Sequence, residues 1–462
     1  MKISKYLVAS EVFLDELTGR ARRIILGTRT SEVRVLDEAS WRDLEGGRLE
    51  ALPEKDLNDL VDAEILVPDW EDELATILGQ NVAACADDDQ LYLVVQPSAS
   101  CQLGCDYCGQ SHTSMRLSQE DQDHLVNRVR GKLGARVYRK FFVAWFGGEP
   151  LAGLSVIRSL TPRFRALARD SGISYGAKMV TNGLALSHDV ASEVVAEHAV
   201  EHIEITLDGT SEFHDRRRHR KNGTPTFDKI FTNLLDLARR DDLELHVSVR
   251  CNVDRRNAEG VSPLIRTLAE AGLQDRISFY VASVYSWGND AHRLAIPPEE
   301  FASLEVGWLA EMITLGFRPG LIPSRKSVLC LATMPEADLV DAYGSLFNCT
   351  EVSYVPTYGT PNVYSIGTVA GGEVPGKRSL LGDFNEQIGR GEYPCASCRM
   401  LPVCGGSCPK KWQEGLDPCP STKRNIQDRL LLHYAVHRLN SQGEAASRTL
   451  IASGELAAAA AR

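Results

Sequence analysis

The chain has 462 residues, 43% hydrophobic and 24% charged, the composition of an ordinary globular protein with room for roughly two to four domains. A net charge of −11 excludes a general nucleic-acid binder. No run of about 18 apolar residues exists to span a membrane, and the opening MKISKYLVASEVFLDELTGR meets acids too early for a signal peptide, so the expected location is the cytoplasm.

In chain order, residues 1–84 read first as a small mixed unit. KYLVASEVFL, RRIILGT and SEVRVLD are short strand-like runs. EASWRDLEG, PEKDLNDLVDA and DWEDELATILGQ are helical in pattern, around a small strand EILVP. This arrangement predicts a winged-helix-like α+β module.

From residue 91 the pattern changes to alternating strands and helices. Strands are expected at 91–97, 140–150, 175–183, 201–209, 243–254 and 276–284. Helices are expected between them at 118–134, with Ser118 as N-cap, and at 154–170, 188–200, 225–240 and 259–273. Such alternation predicts a parallel sheet with right-handed crossovers, and six units over 91–290 suit a partial (β/α)6 TIM-like barrel. Ligands of such folds sit at the C-terminal ends of the strands. A bridging region (291–329), a cysteine-rich segment (330–435) and a helix or tail (436–462) ending in GELAAAAAR follow.

Twelve cysteines in a reducing compartment are not expected to pair. Cys85 and Cys251 read as small buried hydrophobes. The other ten are clustered. SASCQLGCDYCGQ, right after the first barrel strand, places Cys101, Cys105 and Cys108 as C-x3-C-x2-C. CASCRMLPVCGGSC places Cys395, Cys398, Cys404 and Cys408 as C-x2-C-x5-C-x3-C, with Cys330 and Cys349 before it and Cys419 after. A structural zinc takes four thiolates in a closed site, and iron–sulfur clusters normally take four cysteines. A cubane on three would leave one iron open to a small molecule.

C-x3-C-x2-C with Tyr107 before its last cysteine resembles the radical S-adenosylmethionine (SAM) superfamily. The strand ends resemble it too: GGEP at Gly147, Gly148 and Glu149, TNG at Asn182, and TLDG at Thr206 and Asp208. The resemblance implies a [4Fe-4S] cluster on the three cysteines and SAM chelated to its open iron. SAM is then cleaved reductively to a 5′-deoxyadenosyl radical by an external one-electron donor such as flavodoxin or ferredoxin. It also implies roles: Tyr107 near the adenine, the glycines and Glu149 at the SAM amino group, and Thr206 at its carboxylate. Arg218, in HDRRRHR, and Arg250 are candidate partners of that carboxylate.

The C-terminal cysteines resemble the SPASM extension of peptide- and protein-modifying members. That resemblance implies two auxiliary iron–sulfur clusters, one on Cys330, Cys349 and Cys408, the other on Cys395, Cys398, Cys404 and Cys419. Some members carry an eighth cysteine before the position of Cys330. GLIPSRKSVLC has none, so the first auxiliary cluster is left with three cysteine ligands. The expected function is modification of a ribosomally made precursor peptide, by thioether or C–C crosslinking, with its leader on the N-terminal module. The alternatives are a sulfatase-type maturase forming formylglycine, an enzyme of peptide-derived redox-cofactor synthesis, or a non-catalytic iron–sulfur scaffold or electron carrier. No catalytic acid or base stands out, and neither nucleic acid nor membrane is an expected partner.

Overall fold

The computed structural model describes residues 1–15, 18–87 and 89–442. The tail GELAAAAAR lies outside them. Six parallel strands run in consecutive order: Gln90–Val95, Lys140–Trp145, Ser174–Thr181, Val200–Thr206, His246–Val253 and Ser278–Ser283. Helices Gln119–Ala135, Leu154–Asp170, His188–Ala196, Phe227–Ala238 and Val261–Glu270 connect them. Caps mark their starts: the Ser118 hydroxyl accepts the N–H of Asp121 at 3.0 Å, and the Ser187 hydroxyl that of Val190 at 3.5 Å. The expected partial barrel is therefore the fold. A short helix, Ser211–Arg217, was not anticipated, because its run of arginines has no apolar periodicity.

The two-residue period of a strand decides what reaches the barrel interior. On the fourth strand Ile203 and Ile205 are buried in the main core against the helices. Their neighbours Glu204 and Thr206 line a cavity instead. The sheet does not close. Beyond Gln90–Val95 it continues through Asp338–Val340, parallel, and then through antiparallel Ser345–Phe347, Gly367–Thr368 and Gly372–Glu373. Val94 and Ala144, on the open side, are covered by Leu331, Leu339 and Phe347 of the C-terminal half.

Strand Asp338–Val340 is pinned by charge. Arg128, Lys132 and Arg378 converge on Asp338 at 2.8, 3.1 and 2.7 Å. Burial alone would raise the Asp338 pKa, but these cations hold it down to about 2.

Residues 1–86 form antiparallel sheet and three helices, Glu38–Glu45, Glu54–Asp62 and Glu73–Ala86. KYLVASEVFL divides into two strands, Leu7–Ala9 and Phe13–Asp15, which pair with different parts of Arg20–Gly27. One face of this sheet packs on its own helices, with Ile25, Leu36, Trp41 and Leu44 in the core. The other packs on the cysteine-rich segment: Val8, Ile24 and Leu26 meet Met400, Val403 and Leu430. Among the described residues no helix is long and apolar enough to cross a membrane.

Candidate functional site

The loop carrying Cys101, Cys105 and Cys108 leaves the first barrel strand and lies along residues 217–221. The N–H of Gly104 donates to His219 O, that of Asp106 to Arg217 O and that of Lys221 to Gln102 O, at 3.0, 3.3 and 3.0 Å. Gly147 and Gly148 make room for this loop. Gly147 has φ +118°, and a Cβ there would lie 2.9 Å from Gln96 Cβ. One at Gly148 would lie 2.8 Å from Ser100 O. The three thiols face one cavity. Burial pushes Cys105 up to about 12, Arg218 pulls the other way, and the neighbouring Cys101 and Cys108 raise it further. Backbone N–H groups of Leu103 and Gln110 favour thiolates at Cys101 and Cys108. Crowded thiols with N–H donors suit ligation to iron, whose positive charge offsets their mutual repulsion.

Tyr107, Gly147, Gly148, Asn182, Thr206, Arg218 and Arg250 line the same cavity. Glu149 and Asp208 stand behind its wall. The Glu149 carboxylate, expected to face an ammonium, instead accepts from Leu151 N–H, the Thr181 hydroxyl and Asn182 N–H at 3.0, 2.7 and 2.8 Å. It is fully buried, and these bonds fix the end of the third strand. Asn182 thereby comes to donate from Nδ2 toward Cys101 Sγ at 3.7 Å. Asp208 accepts from Asn252 N–H at 2.8 Å and from the Tyr107 hydroxyl at 2.6 Å. That hydroxyl also accepts from Arg218 Nη1 at 2.5 Å and Asn252 Nδ2 at 3.1 Å. Arg218 Nε is buried and has no hydrogen-bond partner among the described residues. Arg250 donates from Nε to Asn252 Oδ1 at 2.8 Å.

The seven C-terminal cysteines fall into two sets. Cys349 is close enough to Cys330 and Cys408 to feel both their charges, and burial holds its pKa well above the usual thiol value. Backbone N–H groups of Ala332, Glu351 and Lys411 are directed at Cys330, Cys349 and Cys408 respectively. Cys395, pushed up to about 12 by burial, has Cys404, Cys398 and Cys419 around it. Gly406 N–H donates to Cys404 Sγ and Lys423 Nζ to Cys419 Sγ, each at 3.4 Å. Among the described residues no three His, Cys, Asp or Glu side chains are placed to hold a single metal ion; a cluster sets each sulfur on a different iron and so holds the sulfurs apart. Cys251 is a core residue, and Cys85 lies by Thr333 at 3.7 Å.

A second cavity, of about 1030 Å³, lies between barrel and C-terminal half, lined by Cys330, Cys349, Cys404 and Cys408. Phe146, Val180, Glu204, Arg250, Tyr285 and Glu351 border both cavities. Tyr285 donates to Glu351 at 2.6 Å, and Tyr280 to Glu204 at 2.7 Å.

Residues 95–241 match the sequence model of the radical SAM superfamily. Over that stretch, from the end of the first barrel strand through the helix that follows the fourth, the chain is similar to this superfamily. It is 23% identical over 367 residues to the serine-type anaerobic sulfatase-maturating enzyme of Bacteroides thetaiotaomicron, covering 69% of this chain and 83% of that protein. Among solved structures it is similar to native anSMEcpe with bound AdoMet and Cp18Cys peptide, with TM-score 0.57 and 18% identity. That match covers 76% of this chain and 98% of the other. A likeness to Streptococcus suis SuiB bound to precursor peptide SuiA, covering 91% and 98% of the two chains at 14% identity, has TM-score 0.47 and is too distant to bear on function.

The barrel and the C-terminal half packed on it place polar groups around the thiol loop. Three of them were not singled out from the sequence. Asn252 was within reach, since it lies two residues after Arg250 and a strand repeats its faces every two. Tyr285 and Glu351 carried no signal, because only the packing of the C-terminal half on the barrel brings them to the cavity.

Proposed function

We propose that the chain is a radical SAM peptide maturase. The observation that carries this reading is the common border of the two cavities. One faces the thiol loop and the other the C-terminal thiols, so a substrate in the larger space reaches the reactive centre past Tyr285 and Glu351. Cys101, Cys105 and Cys108 would hold the cluster that binds SAM, and Asn182, Thr206, Arg218 and Arg250 would surround SAM itself. Bound SAM supplies a 5′-deoxyadenosyl radical able to take hydrogen from carbon. Cys330, Cys349 and Cys408, and the set Cys395, Cys398, Cys404 and Cys419, would hold two auxiliary clusters. Glu351, which accepts from the Tyr285 hydroxyl, presents a carboxylate able to accept a proton from substrate.

The preferred substrate is a precursor peptide whose leader docks on the N-terminal module. Strand Glu32–Asp37 pairs, among the described residues, with Arg20–Gly27 alone. Its other side offers an edge to which an extended peptide could add. The second reading is sulfatase maturation, favoured by the Bacteroides relative.

One experiment separates them. The anaerobically reconstituted protein is incubated with SAM, dithionite and either a Ser-containing sulfatase-motif peptide or short peptides encoded beside its gene, and the products are read by mass spectrometry. A product labelled by an aldehyde-reactive hydrazide supports formylglycine formation. An oxidised, hydrazide-silent product with a fragment-free ring supports crosslinking. Deoxyadenosine production with no peptide changed in either set would count against the maturase reading.

A further inference from the structure

Lys410 and Lys411 follow the auxiliary thiol Cys408 on the short helix Pro409–Gln413, and they have opposite surroundings. Lys410 is buried and neutralised by Glu414 at 2.8 Å. Lys411 makes no ion pair among the described residues. Its Nζ lies 3.5 Å from the centroid of the Tyr285 ring, the side chain that borders both cavities. The backbone N–H of Lys411 is directed at Cys408, so one residue presents both a dipole and a charge to the first auxiliary thiols. The second set of thiols has its own lysine, Lys423, 3.4 Å from Cys419 Sγ, but that side chain is exposed and water screens it.

We propose that Lys411 sets the electron affinity of the first auxiliary cluster, the one held by Cys330, Cys349 and Cys408. A positive charge beside an iron–sulfur cluster favours its reduced, more negative state, and so raises its reduction potential. The effect is largest where water does not intervene. Lys411 is a positioning residue in this scheme: it makes the cluster nearest the substrate cavity the better electron acceptor and takes no part in bond making. The inference rests on the reading of these cysteines as cluster ligands.

The test is a potentiometric titration followed by EPR on the full reconstituted chain, comparing wild type, Lys411→Met, Lys411→Gln, Lys411→Arg and Lys423→Met. With iron content equal to wild type, Lys411→Met and Lys411→Gln should lower the midpoint potential of one auxiliary signal. Lys411→Arg should restore it, and Lys423→Met should leave that signal in place. Potentials unmoved in both neutral variants, at full iron content, overturn the role of Lys411 alone. Loss of iron from both neutral variants also overturns it, showing that Lys411 supports assembly rather than potential. Wild-type protein holding iron for a single cluster overturns the ligand reading and the inference together.

Discussion

The thiol loop and the first auxiliary set are two solutions to gathering three cysteines. Cys101, Cys105 and Cys108 come from eight consecutive residues, held by backbone hydrogen bonds to 217–221. Cys330, Cys349 and Cys408 come from distant points of the chain, and what brings them together is the addition of Asp338–Val340 to the barrel edge and the packing of the segment around it. A contiguous site is local and depends on few long-range contacts. A dispersed site inherits the stability of everything between its ligands.

The strongest break in the comparison is at the loop. Replacing Cys101, Cys105 and Cys108 by Ala should abolish deoxyadenosine formation, read by chromatography after dithionite and SAM, while the auxiliary EPR signals remain. Loss of the auxiliary signals as well would show that the sites are not independent.

Next in size is removal of residues 1–86. Val8, Ile24 and Leu26 cover Met400 and Val403 beside the second auxiliary set. A chain beginning at Asp87 should therefore lose the iron of that set, by iron assay, yet keep a loop able to cleave SAM. Leader binding is better tested by Val35→Pro in the edge strand, which should weaken precursor affinity at full iron content.

Asp338→Asn sharpens the contrast. It leaves Arg128, Lys132 and Arg378 facing a neutral group, at a cost of about 3–5 kcal/mol. The melting temperature should fall, and the first auxiliary set should lose iron before the loop does. Acid should lower thermal stability through the same group. The folded-state pKa of Asp338 lies below its ordinary 3.8, at about 2, so its contribution is present above pH 3.8 and is lost as pH falls toward 2. Thermal stability of the wild type across that window should drop more steeply than that of Asp338→Asn.

The smallest expected effect is at Tyr107→Phe. It removes the hydroxyl joining Asp208, Arg218 and Asn252, worth about 1–2 kcal/mol for buried groups left unpaired. SAM affinity, followed by the change in the loop-cluster EPR signal, should weaken by roughly five- to thirtyfold. An unchanged affinity would confine the network to holding the wall.

The sequence by itself determined the barrel, the thiol loop and the grouping of strand-end motifs. Those features rest on local rules: a two-residue strand period, a helical period, caps such as Ser118, and ligands spaced within one loop. Residues whose role depends on where their side chains turn were not legible in the same way. Glu149 has the sequence setting of a ligand-facing acid, while in the structure its buried carboxylate accepts from the Thr181 hydroxyl and the Asn182 N–H. Only the tertiary structure brought Glu351 and Tyr285 to the cavity, set the N-terminal sheet against the cysteine-rich segment, and laid Lys411 over the Tyr285 ring while its neighbour Lys410 found Glu414. Those choices depend on the surface that arrives from far along the chain, and no local pattern encodes that.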